Sequence, residues 1–385
     1  MNINPQVELR GLTWDHYRGF LPMVATAQRF EELHPEVRIH WEKRSLKNLE
    51  TYPLEKLIGQ YDLLVIHYAF VGFTERQKVL TPLEKYLPSS FLADQRSQQV
   101  GASFDSYFFE GHQWAIPVDT STPVAIWRDD LLSKNQIALP KNWDDVLDLA
   151  KMGHVEMSTA PMYCLMNFYT LCIGLGEEPF TTRSRIVSDS VGREAISILR
   201  ELIENCSPSG WNLNPIQVHD IIASRTNTTK AYCPLVYGFS NYGWDGYAGH
   251  RLNFGEPPPL AGVDLRPTLG GTGIAVSAKC SDINLETALK YIQFIENPEI
   301  QRTLVARAGG QPPNRDAWLD YTNNVLSNGF FEDSLSTINR SYVRPRYPGY
   351  VRFQDQAANI LHEILRRVRH DDEGLNMINE LYRKS

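Results

Sequence analysis

The chain has 385 residues, which is more than one ordinary hydrophobic core needs and suits two lobes of typical domain size. A hydrophobic share of 42% and a charged share of 22% are typical of a soluble globular protein. The net charge of −7 disfavours a dedicated nucleic-acid binder, which needs a dense basic face. No uninterrupted apolar run approaches the roughly 20 residues that a membrane-spanning helix requires.

The N-terminus and the cysteines bear on the cellular compartment. The first eight residues are polar and show no secretory signal, so we expect a cytoplasmic protein if the chain is full length. A periplasmic or cell-surface location is the alternative, if a signal has been removed. The five cysteines contain no CxxC pair, which favours free thiols over a disulfide framework or a zinc site. They are Cys164, Cys172, Cys206, Cys233 and Cys280.

The first seventy residues alternate strand and helix patterns. Strands are predicted at residues 9–14 and 37–41, and apolar residues at helical spacing predict a helix over 19–33 between them. Residues 61–66 (YDLLVI) form a continuous apolar run, which is typical of a strand buried on both faces of a parallel sheet. The order strand, helix, strand, helix, strand predicts an α/β lobe.

The rest of the chain is also mixed. An amphipathic helix is predicted at 189–204, and an aromatic, glycine-rich loop follows a strand near residue 237. The other predicted elements are helices at 143–152 and 157–174, a strand at 231–237 and a final helix at 353–368.

The segment 111–151 contains an ordered series of features. A strand with Pro117 and Asp119 precedes the apolar strand PVAIW, and two helix starts follow, at Asp129 and Asn142. This series resembles the hinge-crossing segment of the family 1 extracellular solute-binding proteins, the carbohydrate-type receptors of ABC importers. The run that begins GGTGIAVSAKC at residue 270 resembles the return of the chain to the first lobe in the same family.

This resemblance implies a two-lobe, type II periplasmic-binding-protein-like α/β fold, with hinge-crossing strands and a ligand cleft between the lobes. The implied first lobe combines residues 1–117 with 270–320, and the second lobe is 118–269. Residues 321–385 are expected to form a C-terminal helical segment that packs across both lobes. The segments 117–125 and 270–274 are expected to be adjacent crossings between the lobes.

In an open α/β sheet, ligands bind beyond the carboxyl ends of the strands. That rule selects Trp14, Asp15 and His16 after the first strand, and His67 and Tyr68 after YDLLVI. A sugar needs flat aromatic faces and planar polar partners. Further candidates of these kinds are Asp119 in the crossing strand and Asn241, Tyr242, Trp244 and Asp245 in the aromatic loop.

Several of these residues also have a structural interpretation. Trp14 suits a core position, Asp15 a helix N-cap, and Asp119 a brace between the crossing strands. Gly271 and Thr272 suit either a tight turn or a close backbone approach to a ligand. Gln311 belongs to a loop that the resemblance places near the cleft rim. Arg344 and Arg346 are candidates for a ligand carboxylate or phosphate, and the alternative is a pairing with the acidic surface.

The favoured function is a solute-binding protein that closes on a small polar ligand, a carbohydrate or a sugar derivative, for ABC-type import. We expect a monomer without cofactor or metal, with an ABC permease as partner if the protein is exported, and no nucleic-acid partner. The alternative is a cytosolic enzyme or sensor that reuses this fold. Its acid–base residues would be Asp15, His16, His67 and Asp119, although no established catalytic motif occurs in the sequence.

Overall fold

The computed structural model of the chain describes residues 6–51, 53–206 and 210–385. The strands are β1 (Val7–Trp14), β2 (Val37–Arg44), β3 (Leu63–Ile66), β4 (Phe108–Phe109), β5 (His112–Gln113), β6 (Ile116–Ser121), β7 (Pro123–Trp127), β8 (Tyr232–Tyr237), β9 (Asn253–Gly255) and β10 (Gly270–Val276). Strands and helices alternate from β1 to β3, within the first seventy residues, as the sequence pattern predicts.

The helices carry labels in chain order. They are α1 (Tyr17–Leu33), α2 (Leu46–Thr51), α3 (Val71–Gln77), α4 (Ser89–Gln98), α5 (Asp129–Lys134), α6 (Trp143–Lys151), α7 (Pro161–Gly174), α8 (Asp189–Glu204), α9 (Pro215–Ala223), α10 (Asp282–Ile295), α11 (Pro298–Ile300), α12 (Arg315–Leu319), α13 (Tyr321–Leu326), α14 (Phe330–Asn339), α15 (Tyr350–Leu365) and α16 (Asp371–Lys384). Short 3₁₀ turns include Tyr68–Phe70 and Ser240–Gly243, and Gln301–Val305 is a π-helical turn.

The chain forms two compact units. Unit 1 comprises Met1–Ser121, Gly270–Asn324 and Arg346–Val351, and unit 2 comprises Thr122–Leu269, Val325–Pro345 and Arg352–Ser385. The sequence-based lobe boundaries near residues 118 and 270 lie close to these divisions. Most of the segment 321–385 belongs to unit 2 by this criterion, and the assignment of functional lobes stays a prediction.

Unit 1 contains a five-stranded sheet in the order β2-β1-β3-β10-β6. The first three strands run parallel, and β10 runs antiparallel to both of its neighbours. All four residues of β3 are buried, which explains its continuous apolar run. The apolar face of α1 lies on this sheet, and the ring of Phe30 is 5.5 Å from that of Tyr291 in α10.

The predicted crossing strand 117–125 is two strands. β6 belongs to the five-stranded sheet and pairs with β10, whereas β7 belongs to a separate sheet in unit 2. Thr122 lies between the two strands, and the chain passes from unit 1 to unit 2 at this point. The chain returns at Gly270, which pairs with Ser121, so the two expected crossings are neighbouring strands.

Unit 2 contains the antiparallel sheet β8-β7-β9 and most of the longer helices. The bounds of α8 agree with the predicted helix 189–204. The helix predicted at 353–368 corresponds to α15, but it is not the final helix, because α16 follows it. Only a narrow face of α16, including Leu375 and Ile378, is buried, so its sequence has a weak apolar pattern.

All five cysteines are free thiols; four are buried, and Cys280 is partly buried. Within the described residues, no helix combines the length and the apolar character that crossing a membrane requires.

Candidate ligand-binding site

One edge of the unit 1 sheet gathers the residues that follow its strands. β1 and β3 are parallel, so Trp14 and His67 lie at the same edge. Residue pairing brings the start of β10 to that edge, since Gly273 is opposite Ile66. β6 ends there too, with Asp119 opposite Thr272 and Thr120 opposite Gly271. Residues from four distant parts of the sequence therefore meet at one sheet edge.

Trp14 lies in a layer of stacked groups at this edge. Its side chain is only 2% exposed. The imidazole of His16 is parallel to the indole with 5.3 Å between ring centroids, and the Arg18 guanidinium carbon is 5.7 Å from the indole centroid. Gly19 leaves room for the ring, because a Cβ there would lie 2.1 Å from the indole Nε1. Trp14 thus holds His16 and Arg18 in place.

Arg18 is the residue that sequence reasoning missed. Its Nε and Nη2 donate to the two carboxylate oxygens of Asp119, each at 2.7 Å, and both side chains are buried at about 5% exposure or less. The backbone N–H of Gln311 also contacts this carboxylate. Burial raises the pKa of Asp119, and Arg18 opposes that shift. The nearest sequence signal is the position of Arg18 in the first helical turn after β1.

His16 and His67 have the same local role. The Nδ1 of His16 accepts the backbone N–H of Arg18 at 3.1 Å and caps α1, and the Nδ1 of His67 accepts that of Ala69 at 3.3 Å. A ring nitrogen that accepts a hydrogen bond carries no proton, so each neutral imidazole has its proton on Nε2. Both rings are therefore hydrogen-bond donors through Nε2.

Asp15 and Tyr68 occupy different surroundings. Asp15 is exposed and pairs with Lys43 at 2.7 Å, and His16 rather than Asp15 caps α1. Tyr68 is fully buried, with its ring 4.6 Å from His67 and edge-on to Tyr107. The cap interpretation of Asp15 is therefore wrong. The carboxylates named for acid–base catalysis are both held by cations, Asp15 by Lys43 and Asp119 by Arg18.

The return strand and the Gln311 loop complete the edge. Gly271 has a φ of +106°, and a Cβ there would lie 2.2 Å from the Asp119 carbonyl oxygen, so glycine is required for the close strand approach. Thr272 is buried opposite Asp119. Gln311 is buried and makes two hydrogen bonds to the backbone of Thr120. Its side-chain Nε2 donates to the Thr120 carbonyl at 3.0 Å, and its backbone carbonyl accepts the Thr120 N–H at 2.8 Å.

The aromatic loop candidates belong to unit 2. Asn241 and Tyr242 are buried in the turn Ser240–Gly243, and the Tyr242 hydroxyl donates to Asp220 at 2.6 Å. Burial, with a smaller effect of Asp220, raises the pKa of Tyr242. Trp244 is partly buried, and Asp245 is exposed and 3.3 Å from Arg251.

Arg344 and Arg346 both bind groups within their own units. Arg344 in unit 2 is buried and donates to the Gln354 side-chain oxygen. Arg346 in unit 1 donates to the carbonyl oxygens of Asp105, Ser106 and Phe108 at 2.7, 2.9 and 3.1 Å. Burial lowers the pKa of Arg346. Both guanidinium groups therefore bind neutral oxygens within the fold.

These features define a class of protein. The chain is an α/β protein of two compact units, and the candidate residues of unit 1 lie at one edge of its sheet, where the strands end. The family profile described as bacterial extracellular solute-binding protein matches residues 25–326. The chain belongs to this family. A search of curated proteins found no match.

Solved structures share the fold over nearly the whole chain. The maltose-bound MalE3 of T. maritima has a TM-score of 0.85 at 15% identity, with 98% of this chain and 99% of that chain covered. A solute-binding protein of an ABC transporter from Agrobacterium radiobacter K84, in complex with ribitol, has a TM-score of 0.84 at 15% identity and covers 99% and 100%. One from Thermotoga lettingae, bound to α-D-tagatose, reaches 0.80 at 16% identity and covers 99% of each chain. The predicted two-lobe α/β fold is therefore confirmed.

Proposed function

We propose that the protein is a receptor for an uncharged carbohydrate or polyol, which it delivers to an ABC permease on the outer side of the membrane. The observation that carries this proposal is the pairing of charges at the unit 1 sheet edge. Arg18 neutralises Asp119 inside the edge, and Lys43 pairs with Asp15 beside it. A ligand with a net charge gains little from an edge whose charges are already paired, whereas hydroxyl groups need only neutral donors and acceptors.

The residues at this edge suit hydroxyl recognition. His16 and His67 supply Nε2–H donors, and Thr272 supplies a hydroxyl beside the Arg18–Asp119 pair. We assign Trp14 and Gly271 to positioning these groups, and Tyr68 and Gln311 to supporting them. Among the unit 2 candidates we assign the aromatic contact to Trp244, which is partly exposed, and polar contacts to Asn241 and Asp245. Tyr242, whose hydroxyl donates to Asp220, is assigned to supporting the loop that carries them.

The comparisons support the ligand class and the location. The printed ligands of the similar structures, maltose, ribitol and α-D-tagatose, are uncharged polyhydroxy compounds. The family is described as extracellular. We therefore favour export of this protein and action as a monomeric receptor over the cytosolic alternative.

The test is a thermal-shift and calorimetry panel on the purified chain. It contains maltose, ribitol and tagatose, matched against glucuronate and glucosamine as charged analogues. We expect a neutral compound to bind, and His67→Ala and Trp244→Ala to weaken its binding, the latter by about 1–3 kcal/mol if the ring stacks on the sugar. We also expect the sugar to remain chemically unchanged after long incubation. Preference for a charged analogue, or turnover of the ligand, would overturn the proposal.

A further inference from the structure

Unit 2 contains a cavity that the proposed sugar site does not use. Its volume is about 670 Å³, and it lies between the end of α9 and the aromatic loop. Its lining includes Asp220 and Arg225 on the α9 side and Tyr242 and Tyr247 on the loop side. A cavity of a few hundred Å³ is the usual size for a small-molecule site.

The cavity lies toward one end of the unit 2 sheet. β7 starts with Pro123 opposite Tyr237 and ends with Trp127 opposite Tyr232, about 13 Å further along at the usual strand rise. Arg128, the next residue, donates to the carbonyls of Ile222 and Ser224 at 2.9 and 3.4 Å. The turn that carries Arg225 is therefore at the far end of β7 from Thr122, where the chain enters unit 2.

The charges of this cavity are not neutralised within the fold. Within the described part of the chain, Asp220 has no cationic side chain at ion-pair distance, and Arg225 makes neither an ion pair nor a side-chain hydrogen bond. The neighbouring Arg128 provides a contrast, since it binds both oxygens of Asp130 at 2.6 Å. The cavity thus contains one cation and one anion that are available to a ligand.

Local contacts fix the orientation of the anion. The Tyr242 hydroxyl donates to Asp220 Oδ1 at 2.6 Å and so orients the carboxylate through one of its two oxygens. The Tyr242 ring is in turn packed edge-on against Tyr247 at 5.2 Å and lies 4.7 Å from buried His219. The second oxygen, Oδ2, remains available beside an aromatic surface, which is a suitable environment for an ammonium group.

Glycine residues bring the loop backbone to the cavity wall. A Cβ on Gly249 would lie 2.7 Å from both the Ala223 carbonyl oxygen and the Arg225 backbone nitrogen. The His250 N–H donates to the Ala223 carbonyl at 2.8 Å and joins the loop to the end of α9. The loop is therefore held in a fixed relation to the α9 side of the cavity, which carries both charges.

We propose that this cavity binds a small zwitterion, a free amino acid or a dipeptide, with its carboxylate on Arg225 and its ammonium group on Asp220. A zwitterion compensates both charges at once, because the two side chains line one cavity without pairing with each other. Guanidinium binds carboxylate through two parallel hydrogen bonds, which gives the carboxylate end its orientation. This site is separate from the proposed sugar site and does not depend on it.

The test uses glycylglycine as the probe, in a saturation-transfer NMR titration of the full chain. We expect saturable binding in the millimolar range that weakens in 0.5 M NaCl, since exposed ion pairs are screened by salt. Arg225→Met and Asp220→Asn should each weaken binding by roughly 1.5- to 5-fold, the effect of one exposed ion pair. Arg183→Met, at an exposed arginine elsewhere in unit 2, is the matched control and should leave the affinity unchanged.

Competition by two neutral compounds tests whether the cavity selects a charged ligand. N-acetylglycinamide has the size of the probe without its charges, and we expect it not to compete. Maltose at saturating concentration should also leave glycylglycine binding unchanged. Absence of saturation, equal affinity of both cavity variants and wild type, or competition by either neutral compound would overturn the proposal. Circular dichroism checks the fold of each variant, and both substituted residues are exposed.

Discussion

Arg18 and Asp119 form a buried ion pair at the core of the candidate sugar site. Removing one partner leaves an uncompensated buried charge, so Arg18→Met or Asp119→Asn should each reduce the free energy of unfolding by about 3–5 kcal/mol. The double variant should cost clearly less than the sum of the single variants, because it leaves no unpaired charge. Urea unfolding of the four proteins in the cycle measures this coupling.

The matched control for this cycle is the exposed pair Arg193–Asp372. Its atoms are 2.6 Å apart, but both side chains are about half exposed. Its coupling free energy should be below about 1 kcal/mol, as for other solvent-exposed ion pairs. Similar coupling energies for the two pairs would show that burial does not set the strength of the Arg18–Asp119 interaction.

The buried carboxyl group of Glu296 should make the free energy of unfolding depend on pH. It is buried at the C-terminal end of α10, and burial raises its pKa well above the ordinary value of 4.5. The folded state therefore keeps the proton at pH values where the unfolded chain releases it. Stability should fall as pH rises above about 4.5, by at most about 1.4 kcal/mol per pH unit from this group.

The measurement is urea unfolding of wild type and Glu296→Gln between pH 5 and 8. Glutamine keeps the shape of the protonated acid, so this variant should lose the contribution of Glu296 to the pH slope. Glu286→Gln on the same helix is the control, because Glu286 is exposed and pairs with Lys290. An unchanged slope in Glu296→Gln would mean that Glu296 is ionised in the folded state.

A site residue was predictable from the sequence where it directly follows a strand whose end the sequence marks. Trp14 and His67 follow from apolar runs whose ends the sequence marks, and parallel pairing brings such ends together. Asp119 was selected as a planar polar group in the crossing strand that the family resemblance identifies. Arg18 was not predictable in this way, because its partner lies 101 residues away on another strand. The burial of Tyr68 and Tyr242 was equally hidden, since an aromatic residue after a strand suits both a core and a binding surface.

At the scale of elements, the start of α1 is a sensitive point. Alanine normally stabilises a helix by about 1 kcal/mol relative to glycine. Gly19→Ala should instead destabilise the protein by about 1–3 kcal/mol, because the new Cβ would lie 2.1 Å from the Trp14 indole. Thermal unfolding measures the change.

Gly192→Ala in α8 is the comparison for this prediction. Its nearest neighbour would be a Leu375 methyl group at 3.2 Å, which has more room to yield. We expect an effect of less than about 1 kcal/mol for this variant. If both alanine variants are as stable as wild type, the indole of Trp14 is not held as tightly as the structure indicates.

Helices with a wide apolar face were more predictable than helices with a narrow one. The periodicity of residues 189–204 predicts α8 with the bounds that the structure has, because its apolar stripe is wide and continuous. α16 escaped prediction because few of its residues are buried. The predicted single strand from 117 to 125 hides the break at Thr122, since both flanking strands are buried and only tertiary pairing separates them.

At the scale of the whole molecule, the proposed sugar site is assembled from segments that are far apart in the chain. Bound sugar should therefore slow amide hydrogen exchange at the same time in residues 14–19, 67–70, 119–121, 270–273 and 309–312, which lie at or next to the unit 1 sheet edge. The probe is the neutral compound that gives the largest thermal shift in the panel, and peptides from α16 serve as the internal reference. Trp244→Ala should reduce the protection by weakening binding, while His67→Ala should reduce it most in 67–70, where the imidazole caps the turn.

Joint protection of all five segments would be difficult to reconcile with a site built from one local motif. Protection of residues 220–249 alone would place the sugar in the unit 2 cavity and exclude the sheet edge as its binding site.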